Sequence, residues 1–205
     1  SLDVPDPGPG QIRARASKTL ISAGTERNVL EGDRGAAGAR HTTEPLRPGY
    51  SWTGFVDAVG PAVEGYSVGD RVVTHLGHQG AGLIDIPTGY LVGIGYVAQI
   101  PDEVSDEMAT FVSLSDVALH GVRRGAPTIG DPVAIFGQGV VGQLMTQFAR
   151  MAGAYPVVAV DLVDGRLEAA RESGATHVVN AARENVIDSV RDITGGDGAR
   201  VVFLT

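Results

Sequence analysis

An α/β chain in two parts, a glycine-rich β domain followed by a parallel-sheet domain, is what this sequence of 205 residues predicts. Three observations carry the prediction. Short strand-like runs broken by glycine and proline fill the first half. Beyond Gly125 to Asp131 the pattern changes to apolar strands alternating with amphipathic helices, which specifies a parallel sheet. At the head of that alternation stands Pro132 to Asp161, PVAIFGQGVVGQLMTQFARMAGAYPVVAVD, where a strand, a glycine turn and a helix follow one another.

The elements follow in order. The proline-rich start, SLDVPDPGPG, cannot be helical, and QIRARASKTLIS then alternates as a strand does. Ile21 to Leu30 reads as a turn running into a short helix, and Glu31 to Arg40 as a polar loop. Gly54 to Val59 and Arg71 to Thr74 are strand-like about a turn at Gly69-Asp70. His75 to Gly95 fits no element, and Tyr96 to Ile100 is a further strand. Asp102 to Gly121 has helical composition, with Ser105 as N-cap and Met108, Val112 and Leu119 as its apolar positions. After the change of rhythm, strands are expected at Val133–Phe136, Val157–Asp161, His177–Val179 and Ala199–Leu204, with helices at Gln143–Met151, Arg166–Ser173 and Asn185–Ile193. The division is therefore 1–125 and 126–205. Four strands are fewer than the six or so of a full dinucleotide fold, so the chain is expected to continue past this C-terminus, and the proline-rich start suggests the same at the other end.

The glycine turn has a chemical reading. Gly137, Gly139 and Gly142 stand in G-x-G-x-x-G spacing around Gln138, Val140 and Val141. The first glycine permits a sharp exit from the strand, the second removes a Cβ that would block a pyrophosphate, and the third lets the helix pack close. The helix N-terminus then offers free N–H groups to the phosphates. Asp161, nineteen residues beyond the last glycine, suits the adenosine ribose hydroxyls, and its charge repels a 2′-phosphate. The pattern thus favours NAD over NADP.

Composition narrows the partners. A net charge of −8 without a basic cluster argues against nucleic acid and anionic membranes. No apolar stretch approaches a membrane span and no signal peptide opens the sequence, so a cytoplasmic protein with a small-molecule substrate is the expectation. With no cysteine, a thiolate nucleophile and every Cys-containing zinc site are excluded within these residues.

Several stretches resemble the medium-chain dehydrogenase/reductase superfamily: VPDPGPGQIRARAS, AGTE at Ala23–Glu26, PGYSWTGFVDAVG at Pro48–Gly60, VGDRV at Val68–Val72, GDPVAIFGQGVVGQ at Gly130–Gln143 and VDLVDGRLEAARESGATHVVN at Val160–Asn180. The resemblance implies a GroES-like β-rich catalytic domain followed by a Rossmann NAD-binding domain, and a homodimer. It also exposes a departure. The family's zinc ligands fall at Ala23, at Tyr50 and Ser51, and near Ser113, none of them a usual zinc ligand. A zinc-independent, NAD-dependent dehydrogenase acting on a secondary alcohol or ketone of polyol, sugar-like or secondary-metabolite type is the leading implication. An NADPH-dependent quinone or enoyl reductase and a nucleotide-binding subunit without catalysis are the alternatives.

For the leading case the resemblance makes Thr25 the hydroxyl that relays the substrate proton, and Asn28 stands where a His often completes that relay. Tyr50 either points its phenol at the substrate or fills the vacated metal cavity, with Glu26 and Ser51 beside it. His75 and His78 fall where the family lines its substrate cleft; either is a candidate base or a solvated loop residue. His41 falls in the polar loop, His120, Arg123 and Arg124 near a helix end, and His177 at a strand start. Arg166 matches a basic position near the adenosine ribose.

Overall fold

The computed structural model describes residues 4–31, 48–86 and 96–205. His41, the polar loop after Glu31 and the stretch after Ile86 lie outside the described residues. Contacts divide the chain into two units, Ser1–Ser113 and Leu114–Thr205. The division falls earlier than residue 125 for a packing reason. Ala118 and Val122, in the helix Val112–Gly125, belong to one core with Val133, Ile135 and Val157.

The first unit contains strands β1 (Gln11–Thr19), β2 (Trp52–Val59), β3 (Arg71–Thr74), β4 (Ala81–Asp85) and β5 (Val97–Gln99). They form an antiparallel sheet in the order β4-β1-β2-β3-β5. Ile12, Ala14, Trp52, Val56, Val72 and Ile84 make its core. Helix α1 spans Ala23–Leu30, within the segment read as turn and helix. Strand β4 lies in the stretch that fitted no element; it begins Ala-Gly and, among the described residues, stands at the sheet edge with β1 as its one neighbour to reward its pattern.

The segment expected as one helix over Asp102–Gly121 is two. Helix α2 covers Asp106–Ala109, with the Ser105 hydroxyl accepting from the Met108 N–H at 3.1 Å as expected of an N-cap. Thr110 then turns its hydroxyl onto the Glu107 carbonyl at 2.7 Å, the kind of local bond that interrupts a helix, and α3 runs Val112–Gly125. The break changes which face is buried. Met108, Val112 and Leu119 are exposed, whereas Leu114, Ala118 and Val122 face inward.

Asp106 fastens α2 to the sheet. Its carboxylate accepts from Arg71 Nε at 2.9 Å and Nη2 at 2.7 Å, and from the hydroxyl of Ser17 on β1. Burial would raise its pKa, but the Ser17 and Arg71 hydrogen bonds, with the charges of Arg71 and Lys18, hold it below the ordinary carboxylate value. A depressed folded pKa contributes stability that is present above the unfolded value and is lost as pH falls through the folded one. Asp106→Asn should therefore cost about 1.5–3 kcal/mol at neutral pH, and the difference should narrow as pH falls below about 3.9. Urea unfolding of both proteins across pH checks this; a gap that stays constant into acid would contradict it.

The second unit holds β6 (Val133–Phe136), β7 (Val157–Asp161), β8 (His177–Asn180) and β9 (Val201–Leu204), parallel and in the order β8-β7-β6-β9. Helices α4 (Val140–Met151), α5 (Asp164–Glu172) and α6 (Val186–Ile193) alternate with them. Each element lies within two residues of its expected bounds apart from the start of α4, which is at Val140. All five residues of β7 are buried. Alternate strand residues feed two cores, Val133, Ile135 and Val157 with α3 and α4, and Val158, Val160 and Val179 with Val190 of α6. The chain runs from β6 to β7 and β8 on one side and returns to β9 on the other. That reversal is a topological switch point, where such sheets bind ligands at the carboxyl ends of their strands.

Candidate functional site

At the switch point β6 gives way to the glycine turn. Gly137 has φ of +86°, a left-handed conformation that glycine adopts without strain. A Cβ on Gly142 would stand 1.9 Å from the Gly137 carbonyl oxygen, so α4 begins in direct contact with the turn. Gly139 differs, because nothing lies within 4 Å of where its Cβ would be. It caps α4 without a side chain, and the first N–H groups of a helix have no intrahelical acceptor. An open cradle at the positive end of a twelve-residue helix suits a phosphate, so the residues present fit a dinucleotide.

The residues around the cradle hold it rigid. Gln138 is buried; its amide donates to the Ile135 carbonyl at 3.0 Å and accepts from the Thr146 hydroxyl at 3.2 Å. Val141 packs on the core and Val140 is exposed. Asp161, buried at the tip of β7, accepts from Gln138 N at 2.6 Å through Oδ2 and from Leu162 N and Val163 N at 2.8 and 2.9 Å through Oδ1. Burial raises its pKa, yet these N–H groups and the Arg166 guanidinium, 3.7 Å from Oδ2, hold it below the ordinary value. An ionised carboxylate has about four acceptor sites, so three N–H bonds leave one for an outside hydroxyl. Asp161 thus ties the glycine turn to the start of α5, a duty the sequence did not reveal.

A second cluster lies in the first unit around α1. Ser22, at the N-cap, sends its N–H to Glu26 Oε1 at 2.7 Å, and its hydroxyl accepts from Tyr50 OH at 2.5 Å. Thr25 Oγ1 is 3.4 Å from the same phenol. Glu26 is buried, and its Oε2 lies 2.9 Å from His78 Nε2. Asn28 is exposed one turn along α1, outside these bonds. The Ser113 hydroxyl donates to the Tyr50 carbonyl at 3.1 Å and meets Tyr96 OH at 3.0 Å, while the His75 ring stands edge-on to Tyr96 at 4.2 Å. Ser51 Oγ is buried with no hydrogen-bond partner among the described residues.

The cluster gathers Thr25, Tyr50, Glu26 and His78, and adds Ser22 and Tyr96, which sequence reading missed. Ser22 carried one readable signal, a serine just before a helix with an acid in its first turn. Among the described residues no three His, Cys, Asp or Glu side chains converge as a metal site would need, and no helix is long and apolar enough to cross a membrane. His177 bonds to its neighbour Thr176, and Arg123 and Arg124 fall in the last turn of α3.

An open glycine cradle at the switch point of a parallel sheet is the arrangement of a dinucleotide-type fold, which follows an antiparallel β unit in this chain. Comparisons with known proteins take this further. Residues 18–105 match the alcohol dehydrogenase GroES-like domain, and residues 140–205 match the zinc-binding dehydrogenase family. The (R,R)-butanediol dehydrogenase of Bacillus subtilis is 38% identical over 78% of this chain and 52% of its own length. The L-threonine 3-dehydrogenase of Pyrococcus abyssi is 32% identical over 98% of this chain and 63% of its own. The crystal structure of 2R,3R-butanediol dehydrogenase from Bacillus subtilis superposes with a TM-score of 0.75 at 28% identity, covering 100% of this chain and 66% of that one. The chain belongs to the medium-chain dehydrogenase/reductase superfamily, and it spans between half and two thirds of the length of these two curated relatives.

Proposed function

We propose that the protein is an NAD-dependent, zinc-independent oxidoreductase that interconverts a secondary alcohol and a ketone. The observation that carries this reading is Asp161, a buried carboxylate at the end of β7 bonded to the glycine turn, with acceptor capacity left for a ribose hydroxyl. Bound there, the nicotinamide would supply the hydride acceptor or donor. Metal independence rests on the hydroxyl groups at the family's ligand positions. The Tyr50 phenol bonds Ser22, and the Ser113 hydroxyl bonds backbone and Tyr96, so neither offers a lone pair of the strength zinc requires. Thr25 and Tyr50 present adjoining hydroxyls that hydrogen-bond a substrate oxygen and pass on its proton, with exposed Asn28 leading toward water. Glu26 reaches Tyr50 only through Ser22, which bonds Glu26 with its N–H and Tyr50 with its hydroxyl, and Ser51 stands buried beside Tyr50 in sequence. Substrate class follows from the relatives' names: butanediol and threonine are both secondary alcohols with a heteroatom on the adjacent carbon. The same reading makes the protein a cytoplasmic homodimer without nucleic-acid or membrane partners, in keeping with its net charge of −8.

One observation favours a second reading, an NADPH-dependent quinone or enoyl reductase. The Arg166 guanidinium is more than half exposed beside Asp161, where a 2′-phosphate would find a cation. Titrating chelator-treated protein with NADH and NADPH, followed by nicotinamide fluorescence, separates the two. Tighter NADH binding is expected, then NAD reduction with (R,R)-2,3-butanediol or L-threonine. Tighter NADPH binding moves the reductase to first place, and turnover that returns only with added zinc removes metal independence. Thr25→Val should keep the NADH affinity and lose kcat by about a hundredfold or more, the usual share of a proton relay.

A further inference from the structure

We infer that His78 and Glu26 form a base dyad that takes the substrate proton, a step that rests on the dehydrogenase reading above. The geometry is specific to this pair. His78 Nε2 lies 2.9 Å from Glu26 Oε2, although the residues are 52 positions apart in the chain. Glu26 is buried, and its other oxygen is fixed by the Ser22 N–H at 2.7 Å. The His78 backbone is pinned by its own N–H to the Pro48 carbonyl at 2.8 Å. Its ring lies over Gly49, which has φ of +100° and where a Cβ would come within 2.9 Å of the His78 Cδ2, Nε2 and backbone N atoms. Only glycine at 49 leaves that seat open. A histidine that merely filled a glycine-rich loop would need none of these four constraints.

An ionised carboxylate only accepts hydrogen bonds, so Nε2 carries the hydrogen and Nδ1 is left as the acceptor. The side chain keeps about a quarter of its surface open to solvent, so the ring is reachable. In alcohol oxidation the substrate O–H bond breaks and its proton forms an N–H bond at Nδ1. The C–H electron pair leaves as hydride to NAD⁺, the oxidant, and the C–O single bond becomes a carbonyl. Glu26 stays ionised and stabilises the imidazolium; in ketone reduction the same proton returns. The Ser22 N–H links this dyad to the Tyr50–Thr25 hydroxyls, because Ser22 bonds Glu26 through its nitrogen and Tyr50 through its oxygen. The two readings then join in one path: the Thr25 and Tyr50 hydroxyls hold the substrate oxygen and pass on its proton, and the imidazole is where that proton comes to rest.

Three measurements test the dyad. Nitrogen-15 NMR of the neutral His78 ring should give the Nε2–H tautomer; an Nδ1–H tautomer overturns the proposal before any assay. His78→Ala should lower kcat by about a hundredfold or more at a temperature well below its own melting point while leaving NADH affinity unchanged, and added imidazole should restore part of the rate. Glu26→Gln keeps an oxygen for the Ser22 N–H but turns an amide donor toward the ring, so His78 should switch tautomer and kcat should fall comparably. A His78→Ala protein that turns over (R,R)-2,3-butanediol or L-threonine normally, or whose loss tracks melting and ignores imidazole, overturns the dyad and leaves the dehydrogenase reading standing. Wild-type protein that binds NADH yet oxidises neither these nor other secondary alcohols removes both.

Discussion

Gly142→Ala should abolish nucleotide binding and destabilise the Leu114–Thr205 unit by roughly 3 kcal/mol, the upper end of overpacking costs. The added Cβ would meet the Gly137 carbonyl oxygen at 1.9 Å and its carbon at 2.9 Å. Both are backbone atoms, so no rotamer relieves the clash. Helix α4 has to lift off the turn, and the helix end that would bind phosphate moves with it. Gly139→Ala supplies the contrast. Nothing surrounds its Cβ, so the variant should melt like the wild type, yet the methyl fills the space a pyrophosphate needs, and NADH affinity should fall by about a hundredfold or more. Thermal melting and fluorescence titration of the two variants check both halves. Unchanged NADH affinity in Gly139→Ala would remove the cradle from the binding site.

Asp161→Asn should weaken NADH by about tenfold to a hundredfold and NADPH by less, since both lose a rigid glycine turn while the charge that repels a 2′-phosphate is gone. The carboxylate receives N–H groups on both oxygens, from Gln138 on one side and from Leu162 and Val163 on the other. An amide satisfies one side and turns a donor against donors on the other, leaving a buried N–H unpaired at about 1–3 kcal/mol. The glycine turn then loses its tie to α5, whatever nucleotide is offered. Binding of inorganic pyrophosphate separates this role from ribose recognition. If Asp161 served the ribose alone, pyrophosphate affinity would be untouched by the substitution and only the adenosine ribose would be missed.

The parallel-sheet half was legible because its information is local. In β6 and β7 the bounds Val133–Phe136 and Val157–Asp161 follow from unbroken apolar runs buried on both faces, and the glycine spacing falls between strand and helix as phosphate binding requires. The β-rich half was less legible where a pattern had little to bury. Among the described residues strand β4 is an edge with glycine second in line, and the helix after Ser105 breaks at Thr110, whose hydroxyl competes for a backbone carbonyl. The apolar residues Met108 and Leu119, which look like core in the sequence, are exposed once that break turns α3 toward Val133 and Ile135.

By itself, then, the sequence determined the two-part α/β architecture, the glycine cradle and the acid that follows it, because hydrophobic period and glycine spacing act within a few residues of the chain. It also determined that no cysteine within these 205 residues takes part. Which side chains meet around α1 was decided only by the tertiary structure. Ser22 and Glu26 come from the start of α1, Ser113 from α3, and Tyr50, His78 and Tyr96 from segments between strands, and no periodicity links positions as distant as 26 and 78. Their meeting depends on the antiparallel register of the sheet and on the left-handed Gly49 that opens a seat for the His78 ring, and both exist only in the folded chain.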